Sequence, residues 1–194
     1  MAGEGRERRM MGQQRAAGPI RVAIVGPESS GKSTLARDWS RRLRESGINA
    51  AWVEEYSRAY YADRPYVSSL ADIEAIAAGQ LAAEARAAEA GASILLCDTT
   101  ALTCKIWAEV AHGQASDALL ALYRPRDYAL TVLACPDIPW EPDPLRSHPA
   151  QRDWLLDLHR QELARQGIAA VELAGAHEAR LARAMAALLP LLPA

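Results

Sequence analysis

Nine residues, Gly26-Pro27-Glu28-Ser29-Ser30-Gly31-Lys32-Ser33-Thr34, follow directly on the apolar run Val22-Ala23-Ile24-Val25. They have the G-x-x-x-x-G-K-[ST] form of a nucleoside-triphosphate phosphate-binding loop. A loop of this kind wraps a phosphate chain with backbone N–H groups, while Lys32 reaches the β- and γ-phosphates and the Ser33 hydroxyl coordinates Mg²⁺. The helix that starts near Gly31 points its positive end at the same anion. A plain glycine-rich turn between strand and helix is the alternative, and the lysine speaks against it. Of 22 Lys plus Arg only Lys32 and Lys105 are lysines. Arginine is the default cation here, yet a compact ammonium sits inside the loop, where a planar guanidinium would not replace it. A nucleoside triphosphate with Mg²⁺ is therefore the expected ligand of the loop.

Apolar, strand-like segments alternate along the chain with longer helical patterns, the form of an α/β three-layer fold with a parallel sheet covered on both faces. Strands are predicted over Ile20–Val25, Ile48–Val53, Ile94–Cys97 with Asp98 at its end, Tyr128–Cys135 and Ile168–Leu173. Helices are predicted over Thr34–Ser46, Leu70–Ala90, Ala101–Tyr123 with a break near Gly113, Arg152–Gln166 and His177 to about Leu189. Residues 136–150 carry too many prolines for helix or central strand and read as a long loop, either a lid or an ordinary surface excursion.

At 194 residues the chain suffices for one well-buried domain, read as 20–194, preceded by an Arg-rich tail over 1–19 without apolar periodicity that is expected to be disordered. The tail lacks the apolar segment of a secretory signal, and Glu4 and Glu7 count against a transit peptide. A formal charge of −2 gives no global pull toward nucleic acid or an anionic membrane, and no apolar run approaches a membrane span. Cys97, Cys104 and Cys135 lack metal-type spacing and read as reduced, mostly buried thiols of a cytoplasmic protein.

Ligands of open α/β sheets bind outside the carboxyl ends of the strands. That places the phosphate loop, Glu54-Glu55, Asp98 and the proline-rich segment together. Asp98 is the candidate to hold Mg²⁺ opposite Ser33, although it is also placed to cap the helix from Ala101. Strand side chains alternate, so one of Glu54 and Glu55 faces the site; Glu55 is chosen to orient or deprotonate an acceptor hydroxyl, a pair of solvated turn acids being the alternative. Arg58 is placed to meet substrate or phosphates, or to be a plain surface arginine. Trp140 offers a stacking plane to a base or a cationic pyridinium, unless it only anchors the loop. Arg146 is placed to swing onto the transferring phosphate. Trp39, Trp107 and Trp154 fall in helical patterns and are assigned to the core, and no histidine is assigned a site. Thr99 stands where motor ATPases place a glutamate, and Asn49 is the single asparagine, so an N-K-x-D guanine-reading motif is absent. Phosphoryl transfer to an acceptor remains, with an ATP-holding regulatory module as the competing class.

Together, Gly-x-Glu-Ser-Ser-Gly-Lys-Ser in the loop, Glu55-Tyr56-Ser57-Arg58, Asp98-Thr99 and Pro139-Trp140-x-x-Asp143-x-x-Arg146 resemble the nicotinamide riboside kinase domain of bacterial NadR-type proteins. The resemblance runs from about Arg21 to the C-terminus. It implies a P-loop kinase fold with parallel strand order 2-3-1-4-5 and ATP- and Mg²⁺-dependent phosphorylation of the ribose 5′-hydroxyl of nicotinamide riboside. Tyr56, Arg58, Trp140 and Asp143 would then bind substrate, with Trp140 stacked on the nicotinamide ring and Asp143 and Arg146 lining a closing lid. NadR-type proteins often carry an N-terminal nucleotidyltransferase domain, whereas this chain begins almost at the kinase, so adenylyl transfer and repression are not expected.

Overall fold

Glycines end three of the helices and thereby set where the strands begin. The structure is a computed structural model describing residues 18–193; all but the last two residues of the expected tail lie outside the described residues. Strands β1 (Ile20–Val25), β2 (Ala50–Val53), β3 (Ile94–Asp98), β4 (Leu130–Ala134) and β5 (Ala170–Leu173) form one parallel sheet in the order β2-β3-β1-β4-β5. Around it lie α1 (Lys32–Glu45), α2 (Tyr56–Tyr60), α3 (Leu70–Glu89), α4 (Ala101–His112), α5 (Asp117–Leu122), α6 (Arg152–Arg165) and α7 (His177–Leu188). Both the architecture and the strand order agree with the sequence reading.

Side-chain alternation along β1 builds the two faces. Val22 and Ile24 pack with Leu35, Trp39 and Leu43 of α1 and Leu181 of α7. Ala23 and Val25 point the other way, toward Leu102 and Ile106 of α4 and Leu156 and Leu163 of α6. β3 is buried throughout, Leu95 and Cys97 lying under the alanine-rich α3. That helix presents small side chains, so it lies close on the sheet. All three cysteines are free and buried.

Three strands start two residues later than expected, and two of the delays share a cause. Gly47 (φ 82°) donates to the Arg44 carbonyl at 2.9 Å and Ile48 to that of Leu43 at 2.9 Å, so the Ile48 amide closes α1 instead of entering the ladder. Gly167 and Ile168 repeat the pattern on Ala164 and Leu163 at the end of α6. Both are Schellman closures, which an apolar residue after glycine resembles a strand start in sequence alone. Tyr128 is excluded from β4 by a 3₁₀ turn at Pro125–Asp127. Helix α2 is unpredicted; it is too short to show periodicity.

Trp154 corrects the core assignment. It is 47% exposed on α6, whose buried face is Leu155, Leu156, His159 and Leu163, while Trp39 is fully buried as expected.

Candidate active site

The loop between β1 and α1 carries the backbone conformations that a phosphate cradle needs. Gly26 has φ 142°, and a Cβ there would stand 2.5 Å from the Ala134 carbonyl oxygen of the neighbouring strand. Ser29 (φ 51°) and Gly31 (φ 82°) are also left-handed. Such successive turns aim amide N–H groups inward. The Ser30 hydroxyl closes the loop on the Pro27 carbonyl at 2.8 Å. Arg180, buried on α7, braces it from behind through the carbonyls of Ser30 (2.8 Å), Cys135 (3.0 Å) and Gly175 (2.8 Å) and through Asp137. Nothing in the spacing around Arg180 marks it in sequence, because apart from Gly175 its partners come from two distant segments, the phosphate loop and the stretch after β4.

Lys32 curls over the loop and donates to the carbonyls of Gly26 (3.0 Å) and Pro27 (2.7 Å). Burial lowers its pKa, opposed by the carboxylates of Glu55, Asp98 and Glu28. Asp98, at the C-terminal end of β3 and fully buried, has the converse problem: burial and then Glu55 push its pKa up to about 6, against the pull of the Ser33 hydroxyl, Lys32 and Arg58. Neither of its carboxylate oxygens has a hydrogen-bond partner. The cap of α4 is Thr100, whose hydroxyl accepts from the Leu102 amide at 3.4 Å. Asp98 is thus a buried carboxylate beside the phosphate loop, near the Ser33 hydroxyl and Lys32 but without a full hydrogen-bond partner. That fits Mg²⁺, an oxygen-seeking cation that is usually held by one or two carboxylates with substrate phosphates.

Thr99 follows with φ 72°, unusual for a β-branched residue and of order 1–3 kcal/mol in strain. Its amide is fixed on the Ile24 carbonyl at 3.0 Å, and its buried hydroxyl has no partner.

A cavity of about 320 Å³ opens over the loop, lined by Gly26, Glu28 to Thr34, Glu55, Arg58, Thr99, Thr103, Trp107, Arg146 and Arg180 among others. Glu55 lines it; Glu54 is exposed. Ser57 donates to Glu55 at 2.9 Å. The proline-rich segment, without helix or strand from 136 to 151, lies across the loop as a strap. Glu28 accepts from the amides of Ser147 (3.0 Å) and His148 (3.0 Å), and the Ser29 hydroxyl from that of Glu141 (2.9 Å). Arg146 donates to the Glu141 carbonyl at 2.6 Å and faces the cavity. Arg58 reaches from α2 to Asp143 at 3.0 Å, and burial of Asp143 is outweighed by Leu145 N–H and Arg58, which hold its carboxyl below the usual range.

Behind the shared wall of Glu28, Glu55, Thr99, Thr103, Trp107 and Leu145 lies a smaller chamber of about 80 Å³. Tyr56, Tyr61, Tyr66 and Gln80 complete it. Trp140 lines neither space; its ring lies 5.9 Å from the Arg152 guanidinium, and Arg152 ties the strap to the Ser29 and Ile138 carbonyls. Of Glu55, Asp98, Trp140 and Arg146, expected around one cavity, Glu55 and Arg146 line it, whereas the buried Asp98 and Trp140 are not part of its lining. The tryptophan at the cavity is Trp107, assigned to the core in sequence because α4 has an apolar pattern all round. Pro27 supplies a carbonyl to Lys32 and Ser30 without lining the cavity.

A family profile described as an AAA domain matches residues 21–180. No curated protein matches the chain. Among solved structures, the NadR protein in complex with NR superposes at a TM-score of 0.69 with 21% identity, covering 89% of this chain and 50% of that one. The NadR protein in complex with NAD and AMP-PNP gives 0.65 and 22%, with 89% and 49% covered. The chain spans about half the length of these relatives, and at such identity the likeness is one of fold. Among the described residues no helix is long and apolar enough to cross a membrane.

Proposed function

Because the chain belongs to the AAA domain family, we propose that its phosphate loop holds ATP for transfer of the γ-phosphoryl group to the ribose 5′-hydroxyl of a nucleoside, nicotinamide riboside foremost. The observation that carries this reading is the shared wall between the two spaces. The phosphate cradle and an aromatic, acid-bearing chamber lie side by side, with Glu55 and Thr99 in the wall they share.

The residues divide the work as follows. The loop amides and Lys32 hold the phosphates, Lys32 exchanging its contacts with the Gly26 and Pro27 carbonyls for phosphate oxygens. Ser33 and Asp98 would hold Mg²⁺, whose charge screens the phosphate oxygens. Glu55 takes the acceptor proton as the sugar oxygen forms its bond to the γ-phosphorus and the bond to the bridging oxygen of ADP breaks. Arg146, on the strap, neutralises charge on the transferring group. Arg58 and Asp143 fasten the strap beside the acceptor, and Tyr56 and Trp107 flank its ring. NAD salvage in the cytoplasm is the setting that such a substrate implies.

A nucleoside panel with ATP and Mg²⁺, read by ADP release and phosphorylated product, tests this, with Lys32→Ala as the control. Transfer to nicotinamide riboside that disappears in Lys32→Ala is expected. ADP without a phosphorylated acceptor would instead favour an ATP-holding regulatory module.

A further inference from the structure

The smaller chamber contains a concentration of polar atoms without partners. Gln80 Nε2, the Tyr61 hydroxyl, and the Thr99 and Thr103 hydroxyls are all buried, all lack a hydrogen bond, and all belong to residues lining this one space. Buried polar groups are normally satisfied, so a convergent set of orphans marks where ligand atoms complete the bonds.

Gln80 is the most constrained of them. It sits on α3 at 2% exposure, and its Oε1 accepts from the Tyr56 amide at 2.9 Å. That amide is the first of α2, whose N-cap Glu55 supplies no side-chain bond, so Gln80 caps a neighbouring helix. An amide oxygen is required at that contact, which fixes the orientation of the group. Both hydrogens of Nε2 are therefore without a partner on a residue that lines the chamber. The charged groups on its wall are Glu28 and Glu55; among the described residues lining it there is no Lys, Arg or His. Arg58 lines only the phosphate side and is engaged by Asp143.

We propose that this chamber selects the acceptor's aromatic ring by two separable features: the Gln80 amide, which demands a carbonyl-type acceptor on the ring, and the Glu28 and Glu55 carboxylates, which exclude an anionic substituent. A neutral or cationic ring bearing a carboxamide satisfies both. The same ring with a carboxylate satisfies the first and violates the second, and the unsubstituted ring does the reverse. This rests on the chamber being the acceptor site of the proposed kinase.

Binding of three ligands to the full chain without ATP, measured by calorimetry, tests it: nicotinamide riboside, its 3-carboxylate analogue and the unsubstituted pyridinium riboside. The carboxamide is expected to bind at least tenfold tighter than either of the others, the scale of one buried hydrogen bond or one uncompensated charge. In Gln80→Met the preference over the unsubstituted ring should fall to within about twofold, while the preference over the carboxylate persists. A merely structural role for Gln80 would weaken all three together. If Gln80→Met does not fold, the ligand series on the wild-type chain decides. Binding of all three within about threefold of one another, or of none, overturns the proposal. Discrimination as expected, with no phosphorylated product when ATP and Mg²⁺ are added, overturns the kinase reading and leaves this one standing.

Discussion

Arg58 on α2 and Asp143 on the strap are joined at 3.0 Å, across 85 positions of sequence, and this contact ties the strap to a residue that lines the cavity over the phosphate loop. Asp143→Asn keeps an oxygen for the Leu145 amide, which the carboxylate accepts at 3.0 Å, and removes the ion pair. Arg58 is 46% exposed, so the loss of global stability should be about 1 kcal/mol or less. Amide exchange over residues 141–148 should nonetheless accelerate, because the strap loses one of few ties. Unchanged exchange there would show that Glu28, Ser29 and Arg152 suffice to hold it down.

Trp107 lines the cavity while also packing against the core, and Trp140, assigned to the acceptor in sequence, lies beside Arg152 instead. Trp107→Ala should raise the KM for the acceptor at least about tenfold with little change in that for ATP, on the scale of a lost aromatic stack. Trp140→Ala should change both by less than about threefold, since its ring faces Arg152. The reverse ranking in steady-state kinetics would return Trp140 to the acceptor site.

Gly79 lies inside α3, where alanine would normally stabilise by about 1 kcal/mol. Here a Cβ would collide with the ring of Tyr56, a wall of the chamber. The steric cost exceeds the propensity gain, so Gly79→Ala should lower the melting temperature and raise acceptor KM while sparing ATP binding. A stabilised variant with unchanged kinetics would mean that the ring swings aside freely.

His159 supplies a pH signature. Its Nδ1 pairs with the Leu155 carbonyl at 2.8 Å, Nε2 is buried without a partner, and burial lowers its pKa to about 4. Below about pH 6.5 the unfolded chain takes up a proton that the folded chain refuses until about pH 4, so stability falls across that window. The full effect is about 3 kcal/mol. Asp98, raised to about 6, works in the opposite direction, since the folded state is the first to bind its proton. Subtracting the pH profile of His159→Gln from that of the wild type, by denaturant unfolding between pH 8 and 4.5, isolates the histidine. A difference that does not grow on acidification would show that Nε2 finds a partner.

The alternation of strands and helices, the phosphate loop and the carboxylates at the strand ends can all be read along the chain without its fold. These are local: a glycine that must be left-handed, a lysine beside it, and apolar runs between turn residues all act within a few positions. That residues 136–150 form a loop was also legible, since prolines exclude regular structure, but its place over the phosphate loop follows from the pairing of β4 with β1. Tertiary structure alone decided which aromatic faces the site. Trp107 and Trp140 are both plausible stacking planes in sequence, and only the seating of α4 against α3 and the pull of Arg152 separate them. The same holds for Arg180 and Gln80, whose partners lie up to 150 positions away. Their chemistry is a long-range satisfaction of backbone groups, so no periodicity along the chain records it.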